Sequence, residues 1–276
     1  MSSTKTIKKT RIPDIKKIIV VASGKGGVGK STVAAGLAIS LATEGFSVGL
    51  LDADIFGPSV PTLFNLKDAG RPVGVEKNGK TMLKPYEEFG LKIMSIGFFV
   101  EPSQAVVWRG PMVTNVLRQL LTETDWGMLD YLIIDTPPGT GDIHITLMQE
   151  FFLAGAIVVT TPQKVALDDV HRAINMLNDK TIGVPILGIV ENMAWFSPSK
   201  HPHEKYFLFG QGGGELLSKE YNVPLLAQIP INECISAKCD AGKVEAILND
   251  SNIYTAFKTL ADNVINQKKT FKLLPL

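Results

Sequence analysis

The residues of this chain best suited to chemistry lie in one stretch, Gly24-Lys25-Gly26-Gly27-Val28-Gly29-Lys30-Ser31-Thr32. It matches G-x-x-x-x-G-K-[ST] at every fixed position, the spacing of a phosphate-binding P-loop. Phosphate oxygens have to be met by backbone N–H groups, so side chains must stay clear. Gly24, Gly26, Gly27 and Gly29 allow that approach and are read here as supplying the positive φ values of an anion nest. A helix beginning directly after the loop adds free N–H groups and partial positive charge. Lys30 would then reach the β- and γ-phosphates, and the Ser31 hydroxyl would bind Mg²⁺. Two further acidic positions end apolar runs: Asp52-Ala53-Asp54, and Asp135 after residues 131–134. An apolar strand closing on an acid suits a carboxylate that holds Mg²⁺ through water. The loop Thr136-Pro137-Pro138-Gly139-Thr140-Gly141-Asp142 has the composition of a switch that moves when γ-phosphate leaves.

These residues need elements to aim them. A β-branched run at residues 18–22 precedes the glycine loop and an Ala- and Leu-rich run at residues 33–41 follows it, giving strand, loop and helix. Strand-like and helix-like segments alternate along the chain. That alternation predicts an α/β fold: a doubly wound, mostly parallel sheet with helices on both faces, whose carboxyl edge receives the ligand. Further strands are predicted at residues 47–52, 91–95, 131–134, 156–160, 186–191 and 225–229. Helices are predicted at residues 112–124, 167–178, 215–220 and 253–265. Residues 73–75 and 81–83 flank Lys77-Asn78-Gly79-Lys80, a hairpin signal with Asn-Gly at the turn. No repeat or low-complexity linker interrupts the pattern. The expectation is a basic, disordered tail over 1–17, one domain over 18–268 with an insertion around 57–110, and a short tail over 269–276.

The chain has 276 residues, 45% of them hydrophobic and 20% charged, enough to build a substantial core. A net charge of +1 provides no global field to draw the protein to nucleic acid or to anionic lipid. No apolar run approaches the ~20 residues of a membrane span. The basic, apolar end Lys268-Lys269-Thr270-Phe271-Lys272-Leu273-Leu274-Pro275-Leu276 is short and contains a proline, against a stable membrane anchor. Cys234 and Cys239 are the only cysteines, which argues against a disulfide framework and fits a reducing cytoplasm.

The lysine directly after the first glycine makes the loop similar to the deviant Walker A motif of the MinD/Mrp/ParA class of dimeric ATPases. Within that class the chain resembles the Mrp/ApbC family of P-loop ATPases, which includes iron–sulfur scaffold proteins. The carrying residues are Ser23 to Thr32, Leu51-Asp52-Ala53-Asp54-Ile55-Phe56-Gly57-Pro58-Ser59-Val60-Pro61, Trp108-Arg109-Gly110-Pro111-Met112, Asp135 to Asp142, Thr161-Pro162-Gln163 and Glu191-Asn192-Met193. The resemblance implies a homodimeric, Mg²⁺-dependent and slow ATP hydrolase in which Lys25 crosses to the partner's phosphates. It implies that Asp54 orients or activates the attacking water with Asp52 nearby, and that Asp135 supports the Mg²⁺ shell. Asn192 would bond adenine, whereas its residue type alone reads as a strand-end Asn in a turn. The family delivers iron–sulfur clusters to apo-proteins or assembly factors, often through a Cys-Pro-x-Cys pair that bridges a [4Fe–4S] cluster across the dimer. Here the corresponding stretch is Ala194-Trp195-Phe196-Ser197-Pro198-Ser199-Lys200-His201-Pro202-His203, without cysteine. Two substitutes remain for cluster or metal ligation: His201 with His203, and the C-x₄-C pair Cys234 and Cys239. The alternative function is an ATP-gated interaction switch that carries no cluster. Many family members also have a small N-terminal assembly domain, whereas a short tail precedes the first strand of this chain.

Overall fold

The computed structural model describes residues 9–77, 79–100, 110–179, 182–198, 201 and 203–267, with only the backbone described for Gly110, Asp142 and Cys234. Strand β1 (Ile15–Ser23) delivers the glycine loop to helix α1 (Lys30–Thr43). Next come β2 (Val48–Asp52), the short α2 (Val60–Leu63), β3 (Gly74–Lys77), β4 (Lys80–Leu83), β5 (Tyr86–Glu88) and β6 (Leu91–Ser95). The second half adds α3 (Gly110–Thr122), β7 (Leu129–Asp135), α4 (Asp142–Glu150), β8 (Gly155–Thr160) and α5 (Lys164–Leu177). It finishes with β9 (Ile186–Phe196), α6 (Gly213–Tyr221), β10 (Leu225–Ile231), α7 (Glu233–Asp240) and α8 (Ser251–Ile265).

Eight strands form the main sheet in the order β10-β9-β8-β1-β7-β2-β6-β5, parallel throughout except for the antiparallel edge strand β5. Strands β2 and β8 are buried along their whole length, so they read as unbroken apolar runs rather than alternating ones. Helix α1 packs on β1, β2 and β7 and against α8, while α5 packs on β1 and β8 and against α6. Residues 33–41 of α1 are buried on every side. At the α1–α8 crossing, a Cβ on Gly36 would stand 2.3 Å from the Phe257 ring.

The register lines up the chemistry. Val21 of β1 pairs with Asp135 of β7, Asp135 with Asp52 of β2, and Asp52 with Ser95 of β6. All four positions therefore arrive together at the carboxyl edge, where β1 opens into the glycine loop.

Four expectations change. Residues 57–110 are no simple insertion: β5 and β6 complete one edge of the main sheet, and only the β3–β4 hairpin stands apart. Residues 9–17 are ordered rather than a disordered tail. The Thr10 N–H bonds the Glu150 carbonyl at 2.6 Å, Lys9 Nζ bonds the Ile182 carbonyl at 2.7 Å, and Arg11 stacks over Phe152. Strand β9 runs on to Phe196, so Asn192 lies within a strand instead of in a turn. Finally, Asp142 begins helix α4, so the switch loop is shorter than its composition suggested. Residues 1–8, Trp108, Arg109 and 268–276 lie outside the described residues.

Candidate active site

Gly27 and Gly29 of the loop adopt φ of +78°, the left-handed values that glycine tolerates without a Cβ clash. Gly24 and Gly26 do not, which corrects their assignment as positive-φ residues. Gly24 is required for a different reason: its Cβ would stand 2.3 Å from the backbone carbonyl carbon of Asp169 in α5. At Gly26 the nearest atom would be Pro138 Cγ, 3.9 Å away in the switch loop. Val28 is buried, and the loop is tied down by Ser23 Oγ, which donates to the Lys25 carbonyl at 2.9 Å. Lys25 is half-buried on the same loop, and Thr32 continues α1.

Lys30 opens α1 and is only 6% exposed. Its Nζ lies 2.5 Å from Asp135 Oδ1 and 4.0 Å from Asp54 Oδ2. The Ser31 hydroxyl lies beside the Asp135 carboxylate and favours its charged form. Burial pushes the Asp135 pKa up, and the Lys30 ammonium opposes that rise. The remaining oxygen, Oδ2, is buried and has no hydrogen-bond partner. An orphaned carboxylate oxygen beside a serine hydroxyl and a phosphate-binding loop is a hard-oxygen donor set suited to Mg²⁺ and its waters.

Asp52 and Asp54 divide their tasks. Asp52 is fully buried, and both its oxygens are committed: Oδ1 accepts from the Asp54 N–H at 3.0 Å, and Oδ2 accepts from the Val60 N–H at 3.1 Å and Ser95 Oγ at 3.0 Å. Burial, with the Asp135 carboxylate alongside, pushes its pKa up to about 7. In this geometry Asp52 ties down the loop that carries Asp54. Asp54 receives the Phe56 N–H on Oδ1 at 3.1 Å and turns Oδ2 toward Lys30.

Across the cleft, the Gly139 N–H donates to the Ser23 carbonyl at 2.9 Å, joining the switch loop to the end of β1. Pro137 is buried, whereas Pro138 and Gly141 are exposed. Asn192 reaches the loop from β9: its Nδ2 donates to the Val28 carbonyl at 2.8 Å. A Cβ on Gly29 would collide with that amide at 2.2 Å, so Gly29 is constrained both by its φ and by its neighbour. Met193, next along the strand, takes φ of +55°, uncommon for a non-glycine residue.

Sequence reasoning missed Ser95, the Thr136 hydroxyl that bonds the Val21 carbonyl, and His144. Ser95 ends a predicted strand, but nothing in its neighbours marks it as a partner of Asp52. His144 stands alone between Ile143 and Ile145, with no spacing that signals a site.

Cys234 and Cys239 lie on one helix five positions apart, about 140° around its axis. Cys239 is buried in the core, and burial pushes its thiol up to about 11, away from the thiolate that iron binding needs. His201 lies 3.5 Å from Glu204 Oε1, and both it and His203 are exposed. No group of three His, Cys, Asp or Glu residues suited to a metal occurs among the described residues. The segment instead forms a small hairpin in which Phe196 and Tyr206 exchange backbone bonds at 2.8 and 2.9 Å and Lys205 caps the Trp195 ring. Among the described residues no helix is long and apolar enough to cross a membrane.

Comparison with known proteins places this geometry in context. A family model described as ParA, NUBPL iron-transfer P-loop NTPase, matches residues 14–265. The chain is 51% identical over 220 residues to the iron-sulfur cluster carrier protein of Synechocystis, covering 80% of this chain and 62% of that protein. It is 48% identical over 257 residues to the protein of the same description from Aquifex aeolicus, covering 92% of this chain and 68% of the relative. Among solved structures, the nucleotide-binding protein of Archaeoglobus fulgidus in complex with ADP is 38% identical with a TM-score of 0.74, covering 88% of this chain and 93% of that one.

Proposed function

Since the chain belongs to the NUBPL iron-transfer P-loop NTPase family, we propose that it is a homodimeric, Mg²⁺-dependent ATP hydrolase that serves iron–sulfur cluster delivery in the cytoplasm. The observation that carries the reading is the buried Lys30–Asp135 pair at the glycine loop, with Asp135 Oδ2 left over. A buried ammonium held on a carboxylate is poised to move onto incoming phosphate while the carboxylate turns to the metal shell. Mg²⁺, when bound by Ser31 and through water by Asp135, neutralises charge on the β- and γ-phosphates. Asp54 Oδ2, within reach of Lys30, orients the water that attacks the γ-phosphorus. Lys25 of a partner subunit completes the charge clamp, so turnover waits for two protomers to close.

Asn192 selects the base through the orientation of its amide. One Nδ2 hydrogen goes to the Val28 carbonyl, which fixes which end of the amide is oxygen and leaves Oδ1 and the second Nδ2 hydrogen for a base. Adenine can give its exocyclic N–H₂ to Oδ1, whereas guanine presents a carbonyl oxygen there. ATP should therefore bind about tenfold tighter than GTP, a margin of the size one lost hydrogen bond gives. Equilibrium binding of both nucleotides with Mg²⁺ tests the reading, together with phosphate release. Absence of ATP binding would overturn it.

A second reading is favoured by the sulfur-free hairpin and by buried Cys239: an ATP-gated switch that engages iron–sulfur apo-proteins or assembly factors without carrying a cluster. Anaerobic reconstitution with iron and sulfide separates the two. Stable cluster absorbance supports the carrier, and none supports the switch.

A further inference from the structure

His144 sits in the first turn of α4 and is 1% exposed. Its Nε2 lies 3.0 Å from Thr136 Oγ1, and that hydroxyl donates to the Val21 carbonyl at 2.9 Å. The hydroxyl has a single proton, already given to Val21, so its oxygen accepts and Nε2 must carry the hydrogen. Nδ1 is then a bare lone pair, buried and without a partner. The carbonyls of Pro137 and Gly141 lie near the ring and favour its charged form. Burial and the Lys30 ammonium outweigh them and hold the His144 pKa down at about 4, so the ring is neutral.

The rest of α4 is fastened at its far end. Arg118 of α3 donates to both oxygens of Glu150, at 2.5 and 2.6 Å, and Thr10 bonds the Glu150 carbonyl. The helix is therefore anchored at its C-terminus, and in its first turn the His144 imidazole bonds the end of β7's chain while Ile143 is buried in the core. That contact falls on Thr136, next to Asp135 in sequence, and on Val21, its partner in register across β1. Few residues separate the metal-binding carboxylate from the switch helix.

We propose that His144 is the positioning residue that registers the switch helix against the P-loop strand, as a neutral Nε2–H donor to Thr136, so that occupancy at Lys30 and Asp135 is passed to α4. The inference rests on the ATP hydrolysis reading above. The ring is thus fastened to the sheet through Nε2, with the Pro137 and Gly141 carbonyls of the switch loop beside it.

The test measures steady-state hydrolysis and ADP affinity for wild type, His144→Leu, His144→Gln, Thr136→Val and the double variant His144→Leu/Thr136→Val. His144→Leu should lower kcat about tenfold, with KM for ATP and ADP affinity within about twofold of wild type, a coupling of ordinary size between linked sites. His144→Gln keeps an amide donor and should recover most of the rate. Thr136→Val should match His144→Leu, and the double variant should be no slower than either, because all three break one chain of contacts. Nitrogen NMR of the His144 ring in the wild-type protein should report the neutral Nε2–H tautomer from about pH 8 to about pH 5. Wild-type kcat in His144→Leu, losses that multiply in the double variant, or an Nδ1–H tautomer would each overturn the proposal. Should His144→Leu fail to fold, slow Thr136→Val beside fast His144→Gln supports it, and equal rates overturn it. A wild-type protein that hydrolyses no ATP would sink the nucleotide reading instead, while the tautomer still decides the arrangement of His144.

Discussion

The two halves of the carboxyl edge make opposite use of their polar residues. Around β1, β2 and β7, charged groups are buried and aimed at one another, and one carboxylate oxygen is left unpaired. Around the end of β9 and on α7, where a cluster carrier would gather thiolates, the described side chains are exposed histidines, aromatic rings and a core cysteine. Buried charges are expensive to keep unless paired or destined for a ligand, so the first half is organised for a phosphate and its metal. Among the described residues, no comparable group of His, Cys, Asp and Glu gathers in the second half.

The largest effect expected falls on the engine. Lys30→Met should lower hydrolysis by about a thousandfold or more, since it removes the clamp on the transferring phosphate. Asp54→Asn should cost about a hundredfold with the fold intact, as loss of a water-positioning group does. Phosphate release and a thermal melt on each variant check both. If either variant turns over like wild type, the buried charges in this half are merely structural.

The second prediction supplies the other half with what it lacks. Ser197→Cys with Lys200→Cys writes Cys-Pro-x-Cys into the sequence after β9, and that variant should take up more iron and sulfide than the parent. Cys239→Ala, in contrast, should leave iron uptake unchanged and lower stability by about 1 kcal/mol, the scale of one small buried group. Iron loss on Cys239→Ala would show that the core cysteine is a ligand after all.

Within the loop itself, two glycines should part company. Gly24→Ala drives a Cβ into the α5 backbone and should destabilise by about 1–3 kcal/mol, the cost of overpacking. Gly26→Ala meets only Pro138 at ordinary contact distance and should leave the unliganded melt nearly unchanged. Equal melting temperatures for the two would contradict the α5 contact.

The smallest effect is one of pH. Asp52 has its pKa raised from 3.8 to about 7, so between those values the folded protein binds more protons than the unfolded chain and loses stability as pH rises. His144, lowered from 6.5 to about 4, binds fewer protons when folded, so its contribution makes stability rise with pH over 4 to 6.5. The two slopes oppose each other in the unliganded protein. His144→Gln should expose the Asp52 slope, its melting temperature falling more steeply than that of wild type between about pH 4 and pH 6.5. A shallower fall would contradict the sign.

The legible parts share one property: their residue types follow from local chemistry. A phosphate nest needs glycine, its helix needs a following lysine and hydroxyl, and buried parallel strands need apolar runs. These are short-range demands, and the strands, α1 and the Asp135 carboxylate followed from them. What escaped depends on contacts between distant segments. Asn192 meets Val28 across 164 positions, and its type alone suits a turn. Asp52 looks like Asp54 until Ser95 and Val60 are seen to occupy its oxygens. The same holds for Gly24, whose need for glycine comes from α5 rather than from phosphate. Edge strand β5 is three residues long with two glutamates, too short for any period to show.

The claim that a twin subunit finishes the site is tested most directly by mixing two dead variants. Lys25→Ala lacks the donated lysine, and Asp54→Ala lacks the water-positioning acid. Each alone should be nearly inactive, but in a mixed dimer the site on the Lys25→Ala protomer keeps its own Asp54 and receives Lys25 from its partner. Equal mixing should therefore restore about a quarter of the wild-type rate, since half the dimers are mixed and each has one intact site of two. A mixture as inactive as its components, or a Lys25→Ala protein that hydrolyses ATP at the wild-type rate, would contradict the account.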